Sequence, residues 1–198
     1  MTAVVFDIGG VLIRWDPVLA FLPDLGTRAA VQDFFIRTDF YVRNLRGDHG
    51  ESFADLAAEL PDPDDAALLA RYPARYALTV PEAIEGTWEL MERLRGKGHA
   101  IHAITNWSAE TWPGGVAAHP RLGTAFGVTV VSGQERLLKP ETAIFDLLCT
   151  RAGEQPRDCL FIDDTEKNVV GAKAAGWDAV HFTGPDALEA ALTERGLL

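Results

Sequence analysis

Cysteine is nearly missing from this chain of 198 residues: Cys149 and Cys159 are the two present, at no metal-ligand spacing. That excludes a disulfide-stapled secreted fold and a zinc ribbon, and it reads as a reduced cytoplasmic protein. Long apolar runs are absent too, since no stretch approaches the roughly 20 uninterrupted apolar residues that a membrane helix needs. The apolar start, Val4 to Ile13, is broken by Asp7 and two glycines and follows no basic segment, so it reads as a buried strand and not as a leader. Positive charge is scarce, with 18 Lys and Arg against 29 Asp and Glu and a formal net charge of -11. Such a surface repels nucleic acid and anionic lipid and removes both as partners. An anionic small molecule remains admissible, given a local positive source such as a metal ion, a lysine or a helix N-terminus. Internal repeats and low-complexity segments are also lacking, and no feature sets an oligomeric state.

What is present is ordinary globular composition, 47% hydrophobic and 24% charged. Five short runs read as strands: Ala3–Ile8, Ala100–Thr105, Val128–Val131, Cys159–Asp163 and Ala179–Phe182. The first and fourth are nearly continuous apolar runs, the pattern of strands covered on both faces. Helical spacing appears in Pro81–Arg95 (Ile84, Trp88, Met91, Leu94), in Glu141–Arg151 and in Thr165–Ala175, where Thr165 is the expected N-cap. Strands alternating with helices predict an α/β fold, a Rossmann-like parallel sheet core. From Trp15 to Val80 the alternation stops, and helix-like stretches such as Ala29–Phe40 and Glu51–Leu60 replace it. The expected organisation is a core of residues 1–14 and 81–198, with a small helical insert, residues 15–80, after the first strand.

In open parallel sheets, ligands bind beyond the carboxyl ends of the strands. Asp7, Gly9 and Gly10 follow the first strand, Thr105–Asn106 end the second, Lys139–Pro140 lie beyond the third, and Asp163–Asp164 end the fourth. Two acidic clusters, a hydroxyl and a lysine at one edge form a phosphoryl-transfer constellation. A carboxylate in the apolar run at Asp7 is costly unless a cation relieves it. Magnesium takes a few hard oxygen ligands, which Asp7, Asp164 and the Gly9 carbonyl supply, with Asp163 beside them. Thr105, Asn106 and Gly10 are candidates for holding phosphate oxygens, Lys139 for neutralising charge during attack, and Asn168 for bracing the acidic pair from the next helical turn.

The segments FDIGGVL (Phe6–Leu12), ITN (Ile104–Asn106), LKPE (Leu138–Glu141) and FIDDTEKNVVGAKAAG (Phe161–Gly176) resemble, in order and spacing, the four motifs of the haloacid dehalogenase (HAD) superfamily. Within it, the chain looks most like the branch holding bacterial sugar-1-phosphate phosphatases and the phosphatase domain of soluble epoxide hydrolases. The resemblance implies a magnesium-dependent phosphatase acting on a small phosphate monoester, with Asp7 as covalent nucleophile. It also implies Thr105 and Lys139 as phosphate binders, Asp164 as metal ligand and a cap that closes over the site.

One position departs from the pattern. Many phosphatases of this family carry a second aspartate two residues after the nucleophile, which protonates the leaving alcohol; here it is Gly9. Such an acid contributes about 10²–10⁴-fold. Either the leaving group is good, as in a sugar 1-phosphate or an acyl phosphate, or Asp16, Asp48 or His49 replaces it, or no proton is needed. The last case is a 2-haloacid dehalogenase, in which Arg37, Arg43 or Arg46 would hold a substrate carboxylate. Asp163–Asp164 weigh against it, because carboxylates without a metal repel an anionic substrate. A catalytically weak phospholigand-binding protein is the third reading. Asp16, followed by Pro17, reads first as a helix cap. His99 and His102 stand three apart on a strand and point to opposite faces, so they share no ion. His181 reads as a satisfied core histidine, Phe34, Phe35 and Phe40 as cap core, and Trp107 and Trp112 as packing or pocket lining in equal measure.

Overall fold

The computed structural model describes all residues, Met1–Leu198. Five strands, β1 (Ala3–Phe6), β2 (Ala100–Thr105), β3 (Thr129–Val131), β4 (Cys159–Asp163) and β5 (Asp178–His181), form one parallel sheet in the order β3-β2-β1-β4-β5. The two runs predicted to be covered on both faces, β1 and β4, lie side by side in the sheet and are buried throughout. The chain leaves β1 in one direction through β2 and β3, then crosses back to β4 and β5. The topological switch therefore falls between β1 and β4, where the crevice of an open α/β sheet forms.

Between β1 and β2 there is no strand. This stretch holds α1 (Leu22–Leu25), α2 (Arg28–Arg37), α3 (Phe40–Asp48), α4 (Phe53–Ala58), α5 (Pro63–Ala70), α6 (Tyr72–Arg75) and, returning to the sheet, α7 (Glu85–Gly96). Downstream follow α8 (Trp112–Ala118), α9 (Ser132–Glu135), α10 (Thr142–Ala152), α11 (Glu166–Ala174) and α12 (Pro185–Glu194). Polar caps begin α2, α4 and α5: the side chains of Thr27, Ser52 and Asp62 accept backbone N–H bonds from Ala30, Asp55 and both Asp64 and Asp65. Aromatic rings fill the space between these helices. Phe21 stacks on Tyr72 at 5.6 Å and Phe35 on Phe40 at 4.2 Å, with Phe34 against Phe21 at 4.8 Å. These rings and one face of the sheet belong to the same buried cluster, while Val5, Ile104, Phe145, Phe161 and Trp177 form a second one on the opposite face.

Several expected boundaries move, for local reasons. β1 ends at Phe6 rather than Ile8, because after Asp7 the chain folds back on itself, with the N–H groups of Leu12 and Ile13 donating to the Ile8 carbonyl. The expected helix from Pro81 starts instead at Glu85, since residues 82–84 run beside residues 12–14 through Arg14 N to Glu82 O and Ile84 N to Leu12 O. The expected helix Ala29–Phe40 is two helices, broken at Asp39, whose φ of 46° places it in the left-handed region. Thr165 begins α11 in extended geometry, but its side chain makes no capping bond; the Asp163 carboxylate takes its backbone N–H instead.

Helix α11 lies against the loop that carries Lys139. A Cβ on Gly171 would stand 2.6 Å from the Pro140 carbonyl oxygen and 3.0 Å from Pro140 Cα. Helix propensity alone predicts that Gly171→Ala stabilises the protein by about 1 kcal/mol. The close approach reverses the sign, and we expect a loss of about 1–3 kcal/mol in urea unfolding, as for other overpacked sites. A gain in stability would show that the loop yields freely.

Candidate active site

Asp7, Thr105, Lys139 and Asp164 meet at the carboxyl edge of the sheet, around one cavity of about 530 Å³. Gly9, Gly10, Asn106 and Asn168 also line it, as do Trp15, Tyr41, Asn44, Leu45, Asp48, Tyr76, Val80, Trp107 and Lys167. The inserted helices therefore supply much of the wall opposite the strand ends.

The floor of the cavity is an ion-paired trio. Lys139, 2% exposed, places Nζ 2.9 Å from Asp7 Oδ1 and 2.7 Å from Asp163 Oδ2. A lysine buried to this degree keeps its charge only if paired; although burial opposes the charged form, the two carboxylates hold it above its ordinary range. Asp163 is fully buried, and its oxygens accept from Thr165 N at 2.8 Å and from Asn168 Nδ2 at 3.1 Å. Asp7 Oδ1 also accepts from Ile8 N at 2.6 Å. Asn168 thus braces Asp163, one member of the pair it was expected to hold. The side chain of Asn106 has a structural task, separate from the phosphate contact expected of the backbone N–H groups that follow Thr105. It bridges the Lys139 backbone, Nδ2 to the carbonyl at 3.1 Å and Oδ1 from the N–H at 2.9 Å, and so fixes the lysine's position.

Acceptor oxygens of Asp7, Asp163 and Asp164 all lie within 4.8 Å of one another. Burial, helped by the neighbouring carboxylates, pushes the Asp7 carboxyl up to about 8 against the pull of Lys139. Burial and Asp163 raise Asp164 as well. Three carboxylates around one ammonium leave an excess of negative charge that a hard divalent cation relieves, so the donor set fits magnesium. Gly10 stands where no side chain is tolerated: its φ is 76°, and a Cβ there would collide with the Asp164 carboxylate. At Gly9, by contrast, nothing lies within 4 Å of a built Cβ. The glycine pair keeps the strand end open to the acidic cluster.

The remaining expectations separate cleanly. Arg37 pairs with Asp65 at 2.6 Å, Arg46 with Glu51 at 2.5 Å and Glu59 at 2.6 Å, and Arg43 donates to the Thr38 carbonyl at 2.9 Å. None of the three lines the cavity, which corrects their proposed grip on a substrate carboxylate. Asp16 accepts from Val18 N and pairs with Arg28 at 2.6 Å, so it is the cap it was read to be, on a short 3-10 turn at Pro17–Ala20. His49 is exposed and does not line the cavity, whereas Asp48 does. His181 is exposed, not a core residue, and its Nε2 lies 2.9 Å from the Asp164 carbonyl; it is the last residue of the edge strand β5. His99 and His102 do not meet: the first contacts Thr2 O at 3.2 Å, the second accepts from Val128 N at 3.0 Å. Trp107 lines the cavity, and Trp112 packs edge-on against it at 5.2 Å. Sequence reading missed Tyr41, Asn44 and Leu45, although with Asp48 they share the i, i+3, i+4, i+7 face of α3, a pattern visible once the helix start at Phe40 is known.

Known structures with this fold are numerous. Over 186 residues the chain is 25% identical to the sesquiterpene phosphatase astK of Aspergillus oryzae, covering 91% of this chain and 89% of that one. A phosphoglycolate phosphatase of Pseudomonas putida is 28% identical over 191 residues, covering 91% of this chain and 68% of the relative. Among solved structures, an HAD family enzyme from Bacteroides thetaiotaomicron, in complex with magnesium and inorganic phosphate, has the same fold. It superposes with a TM-score of 0.70 at 20% identity, over 93% of this chain and 95% of that one. The L-2-haloacid dehalogenase of Xanthobacter autotrophicus shares that fold too, at a TM-score of 0.65 and 20% identity, over 100% of this chain and 84% of that one. With residues 1–176 matching the family's own pattern, the chain belongs to the haloacid dehalogenase-like hydrolases.

Proposed function

We propose that this hydrolase is a magnesium-dependent phosphatase that cleaves a small phosphate monoester through a covalent aspartyl-phosphate on Asp7. The observation that carries the reading is the convergence of Asp7, Asp163 and Asp164 within 4.8 Å, with Lys139 on Asp7. Phosphatase relatives over most of the chain support it.

In this reading Asp7, Asp164 and the Gly9 carbonyl hold magnesium, with Asp163 beside them. The bound ion supplies charge compensation, favouring ionised Asp7 and drawing electron density from a phosphate oxygen. Lys139, fixed by Asn106 and Asp163, holds one oxygen of the nucleophile and offers its ammonium to the charge that builds as the Asp7 oxygen approaches phosphorus. Thr105, buried at the end of β2, and the Asn106 backbone receive the remaining phosphate oxygens. Attack by Asp7 forms the O–P bond as the ester O–P bond breaks, and water then releases phosphate and regenerates the carboxylate. The helices of residues 15–80 act as a cap that excludes bulk water and shapes the leaving-group side.

The cavity also bears on the substrate. Its cations are Lys139 and Lys167, no arginine lines it, and Trp15, Tyr41, Leu45, Tyr76, Val80 and Trp107 build most of the far wall. Such a wall suits an uncharged leaving alcohol whose carbon face packs on aromatic rings, such as the sugar of a sugar 1-phosphate. The 2-haloacid dehalogenase reading loses its substrate-carboxylate site with the three paired cap arginines.

Two measurements test this. Asp7→Asn should abolish magnesium-dependent phosphate release, a loss of several orders of magnitude, with the circular dichroism spectrum unchanged; residual turnover near that of the parent sinks the mechanism. EDTA-resistant halide release from 2-chloropropionate would establish the dehalogenase instead. In a panel of phosphorylated metabolites, uncharged alcohol phosphates should exceed carboxylate-bearing ones such as phosphoglycolate in kcat/KM by about tenfold or more, the scale of one unpaired charge meeting an apolar wall. The reverse order would show that Lys167, or a cation brought in on closure, meets the substrate carboxylate.

A further inference from the structure

We infer that Asp48, on the inserted helix α3, is the proton donor to the leaving oxygen, replacing the acid that Gly9 cannot provide. The inference rests on the phosphatase reading and adds a residue to it. Of the acids near the insert, Asp16 is committed to Arg28 and to its helix cap, and His49 points to solvent. Asp48 lines the same cavity as Asp7, Gly9 and Lys139 and comes from helix α3 of the insert, not from a strand end. The leaving oxygen, which departs from phosphorus away from Asp7, travels toward the insert.

Position is enforced from the core. Ser132 Oγ, at the end of β3, donates to the Asp48 carbonyl at 2.5 Å and accepts from Trp107 N at 2.9 Å, so one hydroxyl ties the end of α3 to the loop after β2. Phe53 N donates to Glu110 Oε2 at 2.8 Å just beyond, and a Cβ on Gly50 would stand 2.9 Å from the Gly133 carbonyl, so the two backbones run in contact. Asn44 Nδ2, one helical turn back, donates to Asp48 Oδ2 at 3.1 Å and orients the carboxyl, leaving Oδ1 without a side-chain partner. A carboxyl anchored in this way is held in one place beside the cavity, as a general acid must be.

The protonation state suits the task. Burial pushes the Asp48 carboxyl up to about 7, although the Ser108 backbone and the charge of Lys139 favour the ionised form. Facing groups are Lys139 from the loop before α10, Tyr72 and Tyr76 from the insert, and Asp7 across the cavity. As the Asp7 oxygen bonds to phosphorus and the ester P–O bond breaks, the Asp48 proton moves to the departing alcohol oxygen. In the second step, Asp48 carboxylate takes a proton from the attacking water, so the cycle closes with one water consumed per ester.

The test is the dependence of kcat/KM on leaving-group pKa, from p-nitrophenyl phosphate through phenyl phosphate to an alkyl phosphate with magnesium present. This ratio reports steps through departure of the alcohol, before the covalent intermediate is hydrolysed. The parent enzyme should show a shallow dependence. Asp48→Asn should lose about 10²–10⁴-fold on the alkyl ester and far less on p-nitrophenyl phosphate, steepening the slope. A steep slope in the parent overturns the inference without any variant. So does an Asp48→Asn protein, folded by circular dichroism, that loses the same factor on every ester, since that marks a packing or binding role. An Asp48→Asn protein that does not fold returns the decision to the parent slope alone. Phosphate release from no ester by the parent would overturn the phosphatase reading itself, a separate outcome.

Discussion

The buried contact among Asp7, Lys139 and Asp163 governs the rest of this structure. Charged groups taken out of water cost more than they return unless their lone pairs and protons find partners, and burial accordingly lifts the Asp7 carboxyl to about 8. The chain meets that demand with the Ile8 and Thr165 backbone N–H groups, the Asn168 amide and the Asn106 clamp on the Lys139 backbone. The cost explains why the glycines at residues 10 and 171 are small: one leaves room for the Asp164 carboxylate and the other for Pro140, next to the lysine. In the proposed function, a divalent ion would offset the negative charge that Asp7, Asp163 and Asp164 leave beyond the single Lys139 ammonium. That local reversal would let a chain with a net charge of -11 receive an anion there.

The inserted helices are held to the sheet by two kinds of force with different reach. Apolar packing is continuous, since the rings of Phe21, Phe34, Phe40 and Tyr72 belong to the same buried cluster as Val4, Phe6 and Ile8. Hydrogen bonds are fewer, and they include Ser132 with the Asp48 carbonyl, Glu110 with Phe53 N and His119 with the Val80 carbonyl. Packing decides that the helices stay, and the first two of these directional contacts decide where the end of α3 points. These contacts keep Asp48 and Asn44 at the cavity wall.

The wall facing the leaving group is aromatic and poor in cations, and that follows from the same economy of charge. Each arginine of the inserted helices is committed to a carboxylate or a carbonyl at its own surface, Arg37 to Asp65 and Arg46 to Glu51 and Glu59. Such exposed pairs contribute little to stability. Their consequence here is functional: they keep guanidinium groups out of the cavity, and they leave its chemistry to Lys139, the acidic cluster and the rings.

Sequence alone determined the parallel sheet, the helical insert after the first strand and the four motif positions at the strand ends, because these depend on periodicity and on polar residues set against apolar runs. Asp7 in AVVFDI and Asp163–Asp164 in CLFIDD are legible as costly charges that must share a purpose. Only the tertiary structure decided which partner each group takes. It spent Asn106 on a backbone clamp, sent Arg37, Arg43 and Arg46 to surface pairs, left His181 at an exposed strand end and chose Asp48 over Asp16 and His49 as the acid lining the cavity. Hydrogen bonds and ion pairs between segments 25 to 84 residues apart, such as Trp107 with Ser132 and Asp48 with Ser132, leave no trace in local spacing, because chain folding alone brings their atoms within reach.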